Sequence, residues 1–168
     1  SAREDRELNR MPQHIGIVAC SAEGAALCYK TICVEGARFL GAHAHPEVSL
    51  HTHSLADYVD RLDRGDRSGV AELMLSSARK LASAGADFLI CPDNTIHQAM
   101  GHVLPLSPLP WLHIAEVVAD EAVVRGFKRI GIPRGSANPQ HVQDNLCSFW
   151  IVLVPTIIQC LSRSGQCN

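Results

Sequence analysis

No regular cysteine framework runs through this sequence. Its seven cysteines (Cys20, Cys28, Cys33, Cys91, Cys147, Cys160 and Cys167) are odd in number and include no Cys-x-x-Cys pair. That disfavours both a disulfide scaffold and a structural zinc ribbon, and it reads as reduced thiols in a cytoplasmic protein. Charge of one sign is lacking too. The formal net charge is -2 and the basic residues are dispersed among acids, so neither nucleic acid nor an anionic membrane surface is expected as a partner. Long hydrophobic runs are missing. The longest, Phe149 to Ile158, is too short to span a bilayer and is interrupted by Pro155. Ser1 to Arg10 is charged, has no apolar signal core, and reads as a disordered leader. There is no internal repeat, no low-complexity tract and no His-Glu-x-x-His spacing.

What is present is an ordinary globular balance of 46% hydrophobic and 19% charged residues over 168 positions, enough for one domain with a real core. His14 to Cys20 is a β-branched run that predicts a buried parallel strand, and Ser21 is placed to cap a helix over about 22–40. A second strand is expected over Glu47 to His53, where Val48, Leu50 and Thr52 alternate with Ser49 and His51. Ser54 and Asp57 have capping-box spacing before a helix that should stop near Gly65. From Asp66 to Ala84, Val70, Leu73, Met74, Ala78 and Leu81 share one helical face, and Gly85 follows where a helix-ending glycine belongs. A third strand is predicted at Asp87 to Cys91, a helix at Asn94 to Val103 and a fourth strand at Pro110 to Ile114. A helix at Ala115 to Arg125 and a fifth strand at Lys128 to Ile132 complete the series.

Strands alternating with helices imply a doubly wound parallel sheet, a flavodoxin-like single lobe with ligands bound beyond the carboxyl ends of its strands. That rule selects Cys20-Ser21, Thr52-His53, Cys91 through Thr95, and His113. Asn94 and Thr95 open a helix whose free amides favour an anion, such as a substrate carboxylate; equally, Asp93, Asn94 and Thr95 are good capping residues.

The stretch Cys91-Pro-Asp-Asn-Thr-Ile-His97 resembles the strand-to-helix motif of aspartate/glutamate racemases, commonly Pro-Cys-Asn-Thr-Ala-His. His14 to Tyr29 resembles the opening strand and ligand loop of that family, His45 to Tyr58 its second-strand region, and Ser107 to Glu116 a later strand. The resemblance covers His14 to Ile132. It implies a cofactor-independent amino-acid racemase. Two acid/base groups, usually cysteines, would face opposite sides of the α-carbon of an acidic amino acid, with neither pyridoxal phosphate nor metal. It implies Asp93 or Cys91 as the catalytic group, and Ser21, Thr52, His53, Asn94, Thr95 and His97 as substrate-binding residues.

Two departures qualify this. The cysteine of the family motif aligns with Asp93, whose reference pKa of about 3.9 makes it a poor base unless burial raises it. Cys91 lies two residues earlier, and alternation would put both side chains on one side of an extended segment. The plainer reading of Cys91 is a small core residue. After Ile132 nothing matches a second lobe, so 133–168 is expected to be a divergent tail from a truncated or frame-shifted gene, and 11–132 the racemase-like lobe. A non-catalytic lobe that binds a carboxylate or a partner is the alternative, and a homodimer is compatible with either. His43, His45, His51 and His53 raise a metal-dependent hydrolase, but no complete ligand set accompanies them, so no metal site is expected.

Overall fold

A computed structural model describes residues 14–113 together with Glu116, Ala119, Val123, Val124 and Gly126. The chain divides into two compact units. One takes Gln13–Tyr29 and Glu47–His113; the other takes Ser1–Pro12, Lys30–Pro46 and Ile114–Asn168.

The first unit is built on three parallel strands, β1 (Ile15–Ala19), β2 (Val48–Thr52) and β3 (Phe88–Ile90), in the order β2-β1-β3. Register runs from Ile15 opposite Val48 and Phe88 to Ala19 opposite Thr52, so the carboxyl ends of the strands lie along one edge. Every residue of β1 is buried, as a central parallel strand requires. Gly16 is dictated by packing: a Cβ there would lie 2.7 Å from Leu89 Cδ2 and 3.3 Å from Leu81 Cβ.

Between the strands run α1 (Ala22–Leu40), α2 (Leu55–Asp63) and α3 (Arg67–Ser83). The expected apolar face of α3 is the core: Val70, Met74, Ala78 and Leu81 are buried, with Leu73 partly covered. Truncating Met74 to alanine would cost about 2–5 kcal/mol. Asp66 caps α3 by accepting the Gly69 N–H at 2.8 Å, and Gly85 follows it with φ +93°. Ser54 precedes α2 as expected but its side chain makes no capping hydrogen bond; the Asp57 N–H bonds the Ser54 carbonyl instead, at 3.0 Å.

Two expectations change beyond β3. Asn94 to Val103 is not one α-helix: Asn94–Ala99 is a 3₁₀ helix, and only Met100–Val103 (α4) is α-helical, followed by a second 3₁₀ turn at Leu104–Leu106. The cause is a short apolar repeat, Ile96, Ala99, Met100 and Val103, that must seat against α3 immediately after the strand. The fourth strand is reduced to one parallel bridge between Leu89 and Trp111, held by Leu89 N–H to Pro110 O at 2.9 Å and Leu112 N–H to Leu89 O at 2.9 Å. Proline at positions 105, 108 and 110 removes ladder donors just before it.

In the second unit, α1 continues to Leu40, and Gly41 follows it with φ +107°. Gly36 is closely approached by His45, whose Cβ would lie 2.9 Å from an added Cβ. Glu116, Ala119, Val123 and Val124 are helical, and Gly126 has φ +72°. The remainder of the predicted helix at 115–125, the fifth strand at 128–132, the leader and the tail lie outside the described residues.

Candidate active site at the carboxyl edge of the sheet

The chain leaves β1 at Cys20 and enters α1 at Ala22, so the backbone amides there have no helical partners and need an acceptor. The acceptor is the carboxylate of Asp93, delivered from the end of β3 more than seventy residues later. The Cys20 N–H donates to Asp93 Oδ2 at 2.9 Å, and the Ser21 N–H reaches both carboxylate oxygens at 3.2 Å. The Ser21 hydroxyl donates to Oδ1 and accepts the Gly24 N–H at 3.2 Å. An anion at the amino terminus of a 19-residue helix is also favoured by the helix dipole. Gly24 is part of the same arrangement. A Cβ there would stand 2.7 Å from Ser21 Oγ and 3.2 Å from Asp93 Oδ1.

Burial is the larger influence on the Asp93 carboxyl and raises its pKa above the ordinary carboxylate range, against the pull of the Ser21 and Cys20 hydrogen bonds. Such a group is a better proton acceptor than a solvated aspartate, although at this point its lone pairs are engaged.

Cys91 is placed differently. It is buried to 1% exposure, packs in the core with Val18, Tyr58 and Ile96, and its thiol points to the Asp93 carbonyl at 3.6 Å. Burial pushes its pKa well upward, and the neighbouring Asp93 charge adds to this. Cys20, also in the core, is pushed up to about 12 by burial first and Asp93 second. Neither thiol has the cationic surroundings that generate a thiolate.

Of the remaining sequence candidates, Ser21 is brought directly onto Asp93. Asn94 and Thr95 follow it at the same edge and are exposed. The helix they open has only six residues of 3₁₀ geometry, so the anion-favouring terminus at this edge is that of α1 and not theirs. Thr52 is exposed and donates to the His53 carbonyl at 2.8 Å. His97 meets His113 at a tilt of 51° with ring centroids 4.9 Å apart, and burial followed by His113 lowers its pKa to about 4, which keeps it a neutral imidazole.

Sequence reasoning missed a polar cluster at the end of β2. His51 and His53 meet edge to face, 4.9 Å between centroids. The Lys80 ammonium lies 3.0 Å from His51 Nε2 and can only donate, which makes Nε2 the acceptor and leaves Nδ1–H to face Ser77 Oγ at 2.9 Å. Burial and then Lys80 lower the pKa of both histidines. His53 Nε2, Tyr58 Oη and His113 Nδ1 are buried without a hydrogen-bond partner. The Ser77 hydroxyl lies beside Tyr58 and, as the acceptor of His51 Nδ1–H, still has its own O–H to give. The alternation of β2 was a signal of this: Ser49 and His51 are its inward polar face, and Leu50 is the exposed one. Among the described residues no group of three or more His, Cys, Asp or Glu side chains is arranged to hold a metal ion, and no helix is long and apolar enough to cross a membrane.

Comparison with known proteins places this geometry. A crystal structure of a protein assigned as an Asp/Glu racemase from Yersinia pestis superposes with a TM-score of 0.64 at 24% identity, covering 68% of this chain and 50% of that one. An aspartate racemase homologue from Pyrococcus horikoshii gives 0.63 at 22% identity, covering 69% and 50%. These two similarities show the fold, and the chain spans about half the length of either neighbour. The sequence model of the Asp/Glu/hydantoin racemase family matches residues 15–133. That match takes in all three strands and the Ser21–Asp93 edge, and by it the chain belongs to the Asp/Glu/hydantoin racemase family.

Proposed function

We propose that this chain contributes one face of an amino-acid racemase site, in which the carboxyl edge of the sheet receives the carboxylate of an acidic amino acid such as aspartate or glutamate. Asp93 stands as the proton-transfer group in this reading, with Ser21, Thr52, His53, Asn94, Thr95 and His97 as the substrate-side residues. The observation that carries it is the convergence of Ser21, the Cys20 amide and Asp93 at the point where α1 begins. The proton inventory is simple. The ionised Asp93 takes the α-proton and becomes a carboxylic acid, leaving a carbanion stabilised through the substrate carboxylate, and a second acid on the opposite face returns a proton. The depth of Cys91 and its upward-shifted thiol favour Asp93 over Cys91 for this role.

Racemisation needs two such groups held on opposite faces of one carbon. The described residues offer Asp93 for one face, and with these residues alone racemisation is expected to be weak or nil. The two-base chemistry of the family supports a reaction without pyridoxal phosphate or metal. The four described cysteines are free thiols, which supports residence in a reducing compartment such as the cytoplasm.

The test is solvent-deuterium exchange at the α-carbon of aspartate and glutamate with the purified chain. Slow exchange above the buffer rate that is lost in Asp93→Ala supports the reading. Exchange that survives Asp93→Ala but is lost in Cys91→Ser moves the base two residues upstream. No exchange, with carboxylate binding retained, reduces the function to that of a non-catalytic binding lobe. The engagement of every Asp93 oxygen with protein donors is the observation that favours this second reading.

A further inference from the structure

Outside the Ser21–Asp93 edge, the most closely linked polar groups lie where the end of β2 meets α3. Both ring nitrogens of His51 are engaged there, Nδ1 with the Ser77 hydroxyl at 2.9 Å and Nε2 with the Lys80 ammonium at 3.0 Å. Among the described residues these are the side-chain hydrogen bonds that join β2 to α3. They differ in kind. The Ser77 hydroxyl can accept from Nδ1–H whatever the charge on the ring. An ammonium can only donate, so the Lys80 bond exists only while Nε2 carries a lone pair. A proton on Nε2 turns the acceptor into a donor and sets two cations against each other at hydrogen-bond distance. The groups that act on the His51 charge are Lys80 of α3 and His53 at the end of β2, and both oppose a proton. Ser77 of α3 carries no charge, and the residue opposite on β1 is Val18. From α2, Asp57 and Arg61 act on His53 with opposite sign, and Tyr58 lies beside Ser77. Lys80 is exposed and His51 only partly covered, so solvent protons reach the pair.

We propose that His51 and Lys80 form an acid-opened latch between β2 and α3: a proton taken by His51 ejects the Lys80 ammonium and frees the two-residue link, His53 and Ser54, that joins β2 to α2. The link has little else to hold it. His53 Nε2 has no partner, and the Ser54 side chain makes no capping bond to α2. The Thr52 hydroxyl reaches the His53 carbonyl, next to it in the chain, and so does not tie the link to α3. What remains is the His53 ring, which rests edge to face on His51 with 4.9 Å between centroids. A His51 ring that turns away from Lys80 takes that contact with it. Burial first, then Lys80 and His53, lowers the pKa of His51 below its ordinary value. The fold therefore favours the neutral ring. The contribution of the latch is complete above the unfolded histidine pKa of about 6.5 and is lost as pH falls through the lower folded value. A proton thus biases a two-state contact at the carboxyl edge of the sheet. The latch does not depend on the racemase reading, because it concerns the order of the edge and not the chemistry done there.

The experiment follows the full ¹⁵N-labelled chain by NMR from about pH 8 to about pH 5 at constant ionic strength. Imidazole ¹⁵N shifts give the His51 tautomer and its titration midpoint, and ¹⁵N relaxation gives the amide order parameters of His53 and Ser54. The latch requires the Nδ1–H tautomer of His51 at neutral pH. It also requires order parameters near the rigid value of about 0.85 that fall toward about 0.6 as His51 takes its proton. Lys80→Met keeps a side chain of similar length without the charge. It should raise the His51 midpoint by about half a unit or more and give the low order parameters already at neutral pH. Lys80→Arg keeps a cationic donor and should restore the closed state. Lys80 is exposed, so neither substitution disturbs the core. A His51 midpoint that Lys80→Met leaves unmoved would overturn the pairing. Order parameters that stay high through the His51 titration and in Lys80→Met would overturn the latch even with the pairing intact. Should the chain unfold in acid before His51 titrates, the order parameters of Lys80→Met and Lys80→Arg at neutral pH still decide. The deuterium-exchange result bears on catalysis alone, so the two readings fail separately.

Discussion

The carboxyl ends of β1 and β2 lie side by side, opposite one another at Ala19 and Thr52, yet they are built in contrary ways. At the end of β1 the Cys20 and Ser21 amides and the Ser21 hydroxyl are satisfied by one carboxylate brought from β3. At the end of β2 the His53 Nε2 is buried without a partner, as is the Tyr58 hydroxyl of α2, and burial followed by Lys80 lowers the pKa of His51. The first end owes its order to a contact between residues far apart in sequence. The second joins His51 and His53, two residues apart, to Ser77 and Lys80 from α3, and leaves His53 Nε2 without a partner. A satisfied polar site is rigid and self-contained, whereas an unsatisfied one holds free energy that a ligand can recover.

The contrast can be broken most forcefully at Ser21. Ser21→Ala removes a hydrogen bond to a charged group and should destabilise the chain by about 2 kcal/mol, while Thr52→Ala, across the edge, should change stability by less than about 0.5 kcal/mol. Urea unfolding of the two variants measures the difference, and equal effects would erase the distinction between the ends. Gly24→Ala attacks the same end by overpacking. With Ser21 Oγ tied to Asp93 and unable to swing aside, a loss of about 1–2 kcal/mol is expected from the same measurement.

At the other end the sign reverses. Tyr58→Phe deletes a buried hydroxyl without a partner and should leave stability unchanged or raise it by up to about 1 kcal/mol, read as a Tm no lower than that of the unsubstituted chain. A fall in Tm would mean that the hydroxyl is satisfied after all. The smallest effect concerns titration. The folded pKa of Asp93 is raised, so the group binds its proton more tightly in the folded chain than in the unfolded one. Its favourable contribution is complete below the unfolded carboxylate pKa of about 4 and is lost as pH rises through the raised folded value. The stability of the unsubstituted chain relative to Asp93→Asn should therefore decline as pH climbs from about 4 toward neutrality and then level off. A difference that instead grows with pH would show that hydrogen bonding outweighs burial at this carboxyl.

What the sequence disclosed follows the range of the interactions involved. The boundaries of α1, Gly85 at the far end of α3, and the buried β1 rest on residues within a few positions of each other, and they were legible. The convergence of strand ends was legible as well, since a parallel sheet allows little else. The destination of the Asp93 carboxylate was not. A residue that caps its own turn and one that crosses to another strand look alike in sequence, and only the β1–β3 register brings Ser21 within reach. The 3₁₀ geometry at Asn94 was hidden for a related reason, because the spacing of Ile96, Ala99, Met100 and Val103 suits either helix and packing against α3 chooses between them. The histidine pair at the end of β2 was visible as a pair, but its burial and its contact with Lys80, twenty-nine residues from His51, which together lower its pKa, could not be read locally.

The same burial that makes Cys91 and Cys28 poor acids gives them a second use. Their sulfurs are sealed from water, while Cys33 is only half covered. A thiol reagent in solution can label the sealed pair only when the structure opens around them, so their labelling rates clock the opening of this unit in the way that slow amide exchange does. A ligand that settles at the carboxyl edge would hold that door shut and slow the clock at Cys91, two residues from Asp93 along the chain. The protein thus carries its own reporter of occupancy in a residue that need never touch the ligand.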